Sequence, residues 1–489
     1  IIPTPRGILM AYKHGVYISE ADTKLVSAVE ATSTLPVVVG VAPVHSLGNT
    51  KAPVNEPKLI YTMTEFVAAF GSPRDDEPYT RYPLYEAASL MLDRYKVSPL
   101  VCINVFDPAE HTSEVESESL TLVKGSALLA HGGVSALTLK VSEGSPLTEN
   151  TDFSLNAGTG EISILEGGSL TGNETLTATY TYADPTKVTS KEVIGGVDET
   201  TLKPTGLSAV QRVFPLFRLV PGQILAPGFS DVPAVGIAIA SACTDISGVF
   251  RAQGHITVPE TLNNYTEAPA WLIDNGLTDS HLICTFGSPT YNGLKEHGDI
   301  HEACGICRRA AENDDIPFWS PSNYGLKADG VMYGDSDLNL DLSQAAYLNG
   351  NGIATFINFT SSFVFWGDLT TAYPGVSDVK EVQIPVRMMF NWIGNSIILT
   401  AFQKVSAPLR RRLIETVCDT LNVWLNGLTA REFILGGRVE FLESENPSTD
   451  LMGGIARFHV YVTPPSAAGE LDFTLEYDVD YLSTLFEAA

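Results

Sequence analysis

Residues 471–481 read LDFTLEYDVDY, and this stretch determines how the fold must be completed. Alternate positions are apolar or aromatic, and the positions between them are acidic or carry threonine. The apolar set is Leu471, Phe473, Leu475, Tyr477, Val479 and Tyr481. A period of two over this length predicts a half-buried β-strand. Because it lies close to the chain end, we expect it to be either the last strand of its own domain's sheet or a strand donated to a neighbouring copy.

The residues before this strand predict a C-terminal α+β domain over 386–470. Pro408 opens a predicted helix whose apolar residues recur every three or four positions, as in an amphipathic helix. They are Leu409, Leu413, Val417, Leu421, Trp424 and Leu428. Strands are predicted at Arg438–Glu443 and Gly454–Val462. Pro464 and Pro465 then form a rigid break, and we predict residues 471–489 to be an extended strand arm.

The amino-terminal part of the chain predicts a second arm followed by an α/β core domain. Residues 1–21 hold one short strand candidate, GVYISE, which contains Val16, Tyr17 and Ile18. Strands alternate with helices after it, which favours a mainly parallel sheet. We predict the core domain over 22–106 and 205–385. Its predicted elements include strands at Leu35–Val44, Ser98–Phe106, Ile316–Trp319, Gly352–Ile357 and Phe363–Trp366, with segments around a further strand at Trp271–Ile273 and His281–Thr285. The predicted helices are Thr64–Phe70 with an N-capping threonine, Tyr82–Tyr95, an apolar, small-residue block at Ala234–Thr244 and Gly248–Gln253, and Leu294–Glu312.

The composition changes between residues 107 and 204. Aromatic residues become few, while serine, threonine, glycine and glutamate increase. Short alternating runs, such as ETLTATYTY at Glu174–Tyr182, are separated by turn sequences such as AGTGE and EGGS. This pattern predicts an antiparallel β-sandwich or barrel inserted into the core domain. The whole chain is therefore predicted to be an α+β multidomain protein.

Charge and cysteine content exclude several classes of function. The chain has 489 residues and a formal net charge of −27, which argues against binding nucleic acid through phosphates and against an anionic membrane surface. No apolar run reaches membrane-spanning length, so we expect no membrane insertion. Six cysteines in this length do not indicate a disulfide scaffold, and we expect reduced thiols in a cytosol.

One stretch offers a metal site as an alternative. The run HGDIHEACGIC contains His297, His301, Cys304 and Cys307 at spacings of four, three and three. These residue types can bind zinc, and a metal-binding enzyme using them is one alternative function. The same spacing places all four on one face of a predicted helix over roughly 15 Å of rise, too far for one tetrahedral ion. Because phosphate loops and nucleophile elbows are also missing from the sequence, we expect no catalytic residue, cofactor or metal.

A basic cluster stands out in this acidic chain. Arg410, Arg411 and Arg412 are consecutive. We expect them either to form an exposed helix face or to pair with acidic residues such as Glu443 and Glu445 of a neighbouring copy. Such pairs would set the register between copies more than they would add strength.

Several segments in this order resemble the tail sheath proteins of contractile bacteriophage tails and of related tailocins. The resemblance rests on GVYISE with STLPVVVGVAP, on EPKLIYTMTEFVAAFG, on LTENTDFSLNAGTGEISILEGGSLTGNETLTATYTY, on FWSPSNYG with FWGDLTTAY, and on GGRVEFLESENPSTDLMGG with the strand-Pro-Pro-strand succession after it. It covers most of the chain, and it is weaker over roughly 204–317. Each motif is a packing pattern, so their collinear order is the evidence.

The resemblance implies a structural subunit rather than an enzyme. It implies stacked hexameric rings around an inner tail tube, linked by donated terminal strands, which contract and drive the tube through a bacterial envelope for genome delivery. The implied partners are further copies of the chain, the inner tube protein, and baseplate and tail-terminator proteins. The implied location is the virion tail, assembled in the cytoplasm of the host. A surface-layer or adhesin protein remains a further alternative, because the insertion is acidic and rich in β structure.

Overall fold

The protein is described by a computed structural model that covers residues 28–48, 52–141, 144–359 and 362–485. The predicted strand around Val16, Tyr17 and Ile18 lies outside the described residues. The strands are β1 (Pro36–Gly40), β2 (Lys58–Ile60), β3 (Leu100–Asn104), β4 (Thr112–Thr121), β5 (Ser126–Leu128), β6 (Val134–Val141), β7 (Phe153–Asn156), β8 (Glu161–Ile164), β9 (Thr175–Ala183), β10 (Gly196–Val197), β11 (Pro204–Thr205), β12 (Gln223–Leu225), β13 (Gln253–Thr257), β14 (Leu282–Phe286), β15 (Ser288–Tyr291), β16 (Leu294–Lys295), β17 (Gly330–Tyr333), β18 (Ser336–Asp337), β19 (Ile353–Asn358), β20 (Phe363–Trp366), β21 (Gly436–Glu440) and β22 (His459–Thr463). The α-helices are α1 (Met63–Phe70), α2 (Pro83–Ala88), α3 (Ser190–Ile194), α4 (Val213–Phe217), α5 (Pro233–Thr244), α6 (Ala268–Asp274), α7 (Gly298–Ala311), α8 (Leu342–Asn349), α9 (Val379–Val382), α10 (Ile384–Ala401), α11 (Arg411–Ala430) and α12 (Ser448–Met452).

An eight-stranded sheet forms the centre of the core. Its strand order is β2-β3-β1-β12-β13-β14-β19-β20, and the six inner strands run parallel while β2 and β20 run antiparallel to their neighbours. The strands β1, β3 and β14 read PVVVG, LVCIN and LICTF, and all of their residues are buried. Near-continuous apolar strands are typical of a parallel sheet that is covered on both faces.

Some predicted boundaries in the core were wrong. The cap of α1 is Thr62, whose side chain accepts from the Glu65 amide, and not Thr64. The helix predicted over Tyr82–Tyr95 is split into α2 and a π-helical turn at Ser89–Arg94, which leads to the buried Tyr95. The strand predicted at Ile316–Trp319 is a turn, and Pro317 offers no backbone N–H for strand pairing.

Between β3 and β12 the chain leaves the main sheet, and its described residues there form three small antiparallel sheets, one of which is the two-stranded sheet β10-β11. We call residues 112–183, from β4 to β9, the insert. Its sheets have the orders β4-β9-β6 and β5-β8-β7, and the insert has its own hydrophobic cluster. In β9, Leu176, Ala178 and Tyr180 are buried while the residues between them are more exposed, so the alternating sequence decides which face is covered. The sequence does not predict β4, because this strand is rich in glutamate and serine and has few apolar residues, so its alternation is weak.

The C-terminal region consists mainly of two long helices and one hairpin. Helix α10 is buried along much of its length, and α11 packs beside β21. Predicted strands at Arg438–Glu443 and Gly454–Val462 correspond to the shorter β21 and β22, which form a two-stranded antiparallel sheet that we call the hairpin. In the main sheet of the core, the predicted strand at Phe363–Trp366 corresponds to β20.

Candidate assembly surface

The hairpin has one edge that the chain itself closes. The backbone N–H of Val439 donates to the Asn422 side chain of α11 at 2.7 Å, and the Asn422 amide donates to the Val439 carbonyl at 3.1 Å. A side-chain amide therefore takes the place of a peptide group from a neighbouring strand. Val439 pairs with Val460 of β22. The two bonds to Asn422 show that the N–H and C=O groups of Val439 point away from β22.

The described residues leave the opposite edge of the hairpin open. Since Val439 and Val460 form a pair whose backbone groups point outward, the N–H and C=O groups of Val460 and Val462 point away from β21. In the described part of the chain, no further strand pairs with β22. An unpaired strand edge is a template for another extended segment.

Helix α11 is covered over only part of its length. Leu421, Leu425 and Leu428 are buried, whereas Leu413 and Val417 on earlier turns are only half-buried. The helix begins at Arg411 rather than at the predicted Pro408, since Arg410 has the extended backbone of an N-cap. The predicted stripe is therefore correct from Leu413 onward, but Leu409 precedes the helix. Apolar surface on the first turns of α11 is left for something else to cover.

The alternating residues near the chain end are exposed and do not form a strand in the single chain. We call residues 471–485 the C-terminal arm. Residues 471–478 belong to no helix or strand, and Val479–Leu485 form a 3-10 turn. The six apolar side chains predicted to share one face have exposed fractions of 62 to 96 %, with Leu475 the highest: Leu471, Phe473, Leu475, Tyr477, Val479 and Tyr481. The interpretation of this stretch as the last strand of the chain's own sheet is therefore wrong.

Residues near both ends of the described chain are hydrogen-bonded to the same helix, α10, or to its N-cap residue. Near the amino end, the Ala31 N–H donates to the Ser396 hydroxyl at 3.0 Å, and the Trp392 indole donates to the Ala31 carbonyl at 2.9 Å. Near the carboxyl end, the Ala467 N–H donates to the Gln383 side chain at 3.3 Å, at the start of α10. Helix α10 therefore fixes the points from which both terminal segments depart.

The basic cluster is exposed, and its predicted acidic partners differ in availability. Arg411 bonds Glu415 one turn along α11 at 2.7 Å, while neither Arg410 nor Arg412 has an ion-pair partner among the described residues. Glu445 already bonds His459 of its own chain at 2.7 Å. Glu443 is exposed, so it is the freer of the two predicted carboxylates.

The histidines of the alternative metal site are engaged by other groups. His297 is the N-cap of α7 rather than part of the helix, so the four residues do not share one helix face as predicted. It bonds the buried Glu86 carboxylate at 2.8 Å. Although burial opposes the charged form, Glu86 raises the pKa of His297 to about 9. His301 bonds Tyr95 through one ring nitrogen and Glu296 through the other, at 2.8 and 2.9 Å.

The cysteines of the same stretch have the surroundings of structural thiols. Cys304 and Cys307 are buried, and burial raises the pKa of both thiols. Cys307 donates to the Thr34 carbonyl. Within the described ranges, no group of three or more His, Cys, Asp or Glu side chains is arranged to hold a metal ion. A separate search of these ranges found no helix long and apolar enough to cross a membrane.

Comparisons with known proteins agree with this architecture. A family model described as "Protein of unknown function UCP028589" matches residues 108–190, a range that includes the insert. The tail sheath protein of Burkholderia phage BcepMu is 27% identical, in an alignment that covers 97% of this chain and 98% of the phage protein. The chain is therefore similar to a phage tail sheath protein along almost its whole length.

Solved structures support the same relationship at the level of the fold. The sheath of an extracellular contractile injection system, PVC, in its contracted state matches with a TM-score of 0.58 at 13% identity over 97% of this chain and 100% of that chain. The helical sheath of the anti-feeding prophage in its contracted state matches with a TM-score of 0.54 at 13% identity over 96% of this chain and 100% of that chain. The resemblance stated from the sequence, and the mixed α and β multidomain fold expected from it, are confirmed.

Proposed function

We propose that the protein is a structural subunit of a contractile tail sheath and that it acts only as a polymer. The observation that carries this proposal is the similarity to a phage tail sheath protein along 97% of the chain. The subunits stack as hexameric rings around an inner tail tube, between baseplate and tail-terminator proteins. On contraction they drive the tube through a bacterial envelope for genome delivery, so the protein works in the virion tail after assembly in the host cytoplasm.

The proposed link between subunits is a strand added to the open edge of β22. The C-terminal arm of one copy pairs with Val460 and Val462 of another, and the apolar face of the arm covers the exposed first turns of α11. Four or five backbone hydrogen bonds at about 1 kcal/mol each, together with burial of side chains such as Leu475, are enough to hold a subunit during a large movement. The arm carries the predicted inter-subunit residues Leu471, Phe473, Leu475, Tyr477, Val479 and Tyr481.

The remaining predicted contacts follow from the same arrangement. The segment with Val16, Tyr17 and Ile18, which the sequence predicts to be a strand, serves as a second connector to a neighbouring copy. Arg410 and Arg412 pair with Glu443 of a neighbour, whereas Glu445 stays with His459. The domain division behind this scheme is an α/β core over 22–106 and 205–385, an inserted β domain over 107–204, a C-terminal α+β domain over 386–470, and arms over 1–21 and 471–489.

Removing the C-terminal arm tests the proposal directly. A chain ending at residue 470 should stay folded but form no rings or tubes, because the β22 edge loses its partner. Electron microscopy and analytical ultracentrifugation measure polymer formation, and circular dichroism monitors the fold. The matched control keeps the composition of residues 471–481 but shuffles their order, which removes the alternation; it should fail to polymerise as well. Polymers of normal length from either variant would contradict strand donation by this arm.

A further inference from the structure

The insert contacts the core along a seam formed by two of its loops. Two of its loops, 129–133 and 157–160, lie against a core surface formed by Arg74 and by the turn that contains His45 and Ser46. The two connections between insert and core also hold each other, because the Asp184 N–H donates to the His111 carbonyl at 2.9 Å. In the described part of the chain, the insert is therefore joined to the core by its two connections and by this seam.

Arg74 bonds both loops of the insert at once. Its Nη1 donates to the Leu129 carbonyl at 2.9 Å and to the Thr159 carbonyl at 3.1 Å, and its Nη2 donates to the Ala130 carbonyl at 3.0 Å. Asp76 holds the other side of the guanidinium through two bonds of 2.9 and 2.8 Å. The Arg74 side chain is only 9% exposed. A rigid guanidinium with five donors can satisfy three carbonyls and a carboxylate together, which a lysine cannot do.

His45 fills the remainder of the seam. It is 6% exposed, and its Nδ1 has no hydrogen-bond partner among the described residues. The insert backbone approaches it closely through Gly133, which has a φ of +66° and where a Cβ atom would lie 2.8 Å from the His45 Cβ. At Gly158, a Cβ would lie 2.6 Å from the Ser46 carbonyl oxygen. Only glycines allow this contact, so the seam is closely fitted.

A groove lies between the insert and the core, next to the contact between Gly133 and His45. The groove has a volume of about 1020 Å³ and lies between Gly133–Ser135 and Ala157 of the insert and residues 52–56, 203–205 and 212 of the core. Along the segment 129–135, the Arg74 bonds come first, the His45 contact second and the groove last. Among the described residues, the insert is therefore held by Arg74 and His45 on one side and faces the groove on the other.

We propose that Arg74 and His45 form a clamp that fixes the angle of the insert on the core, and that opening the clamp lets the insert swing about its two connections toward the groove. A fixed angle makes the insert move with the core as one body. This inference is independent of strand donation, since it concerns contacts within one chain.

Protonation of His45 should open the clamp. Burial lowers the pKa of His45 to about 4, and Glu77 opposes this only in part, while Arg81 and Arg74 add to it. His131 on the insert side also has a lowered pKa through burial. With the clamp open, His45 would titrate near its usual value, about 6.5. The closed state is therefore favoured fully above that value, and the preference is lost as pH falls toward 4.

Spin-label distances test the clamp in the full chain. The labels are placed on Glu166→Cys in the insert and Asp274→Cys in the core, both exposed positions, with the half-buried Cys418 changed to serine. Labelled chains are diluted with unlabelled chains so that only distances within one chain are measured. The unmodified clamp should give one narrow distance distribution at pH 7.5. Arg74→Gln should broaden it severalfold. Arg81→Gln is the matched control at this pH, because among the described residues the Arg81 side chain bonds Glu77 and makes no hydrogen bond to the insert.

Two further variants separate opening from unfolding. Arg74→Lys keeps the charge but cannot bond three carbonyls, and it should also broaden the distribution while amide exchange within β9 stays slow. The unmodified chain should broaden between pH 6.5 and 4.5, and His45→Phe should abolish that pH dependence. A narrow, unchanged distribution in Arg74→Gln and Arg74→Lys would overturn the proposal, as would equal broadening in Arg81→Gln.

Discussion

Two edge strands of the protein differ in whether the same chain pairs with their outer side: β20 of the main sheet and β22 of the hairpin. At β20, the backbone of the loop 323–326 completes the pairing: the Leu326 N–H donates to the Phe363 carbonyl at 2.8 Å and the Asn323 N–H to the Phe365 carbonyl at 2.7 Å. At β22, no described segment of the same chain does so. The core therefore closes this edge of its sheet within one molecule, whereas the described residues leave the β22 edge unpaired, and this is the edge that the proposal above assigns to the arm of a second copy.

The core and the C-terminal arm also differ in how far their apolar side chains are exposed to solvent. Phe356 of β19 is 0% exposed, while Leu475 of the C-terminal arm is 96% exposed. Leaving several large apolar side chains in water is unfavourable unless a partner covers them. The comparison predicts that residues of the core determine the stability of the single chain, whereas residues of the hairpin and the arm determine assembly. Substitutions should therefore change the two properties separately.

The largest expected effect is on assembly, from a proline at the open edge. Val462→Pro removes an N–H that points away from β21, so it should leave the bonds within the hairpin intact but block strand addition. We expect polymers to disappear in sedimentation, with the thermal midpoint of the single chain changed by only a few degrees. Val462→Ala is the matched control, since it removes the same packing but keeps the N–H.

The outcome of that pair of variants distinguishes the edge from the side chain. Loss of polymers in Val462→Pro but not in Val462→Ala would assign assembly to the backbone edge. Normal polymers from both variants would mean that β22 is not the acceptor, and the contrast between the two edges would lose its functional meaning.

A second pair of substitutions should separate stability from assembly. Phe356→Ala leaves a cavity in the core and should lower the free energy of unfolding by about 3–5 kcal/mol. Leu475→Ala removes a side chain that touches little in the single chain, so the free energy of unfolding should not change. Its burial on docking is worth about 1.5–3 kcal/mol, which predicts polymer formation at roughly 10- to 100-fold higher protein concentration. Denaturant titration and a concentration series measure the two quantities. A stable but assembly-defective Phe356→Ala would reverse the comparison.

The sequence predicts well what depends on burial within one chain. The apolar runs PVVVG, LVCIN and LICTF correspond to β1, β3 and β14, and the alternation in ETLTATYTY corresponds to β9. It fails at β13, QGHIT, because buried Gln253 and His255 interrupt the apolar signal: Gln253 falls in the predicted helical block Gly248–Gln253, and no strand is predicted over the residues after it. Polar residues that are satisfied by tertiary hydrogen bonds cannot be distinguished from exposed ones by pattern alone.

The candidate assembly surface shows a different limit of sequence reasoning. The alternation at 471–481 indicates a strand that needs a sheet, but no described strand of the same chain pairs with it, so the element is missing from the described fold. Nor could the sequence distinguish the two hairpin edges. That distinction rests on Asn422, a single polar residue in an amphipathic helix, whose contact with Val439 is set by how α11 packs beside β21.

The smallest expected effect concerns the edge that the chain closes itself. Asn422→Ala leaves the N–H and C=O of the buried Val439 without partners and should lower the free energy of unfolding by about 1–3 kcal/mol. Asn426, one turn further along α11 and exposed, is the matched control, and Asn426→Ala should change stability by less than about 0.5 kcal/mol. If the closed edge exists to prevent a second strand from binding, Asn422→Ala should also let short or irregular polymers form, visible by electron microscopy. Unchanged stability in Asn422→Ala would mean that the amide does not close the β21 edge, and both edges of the hairpin would then be acceptors for the arms of neighbouring copies.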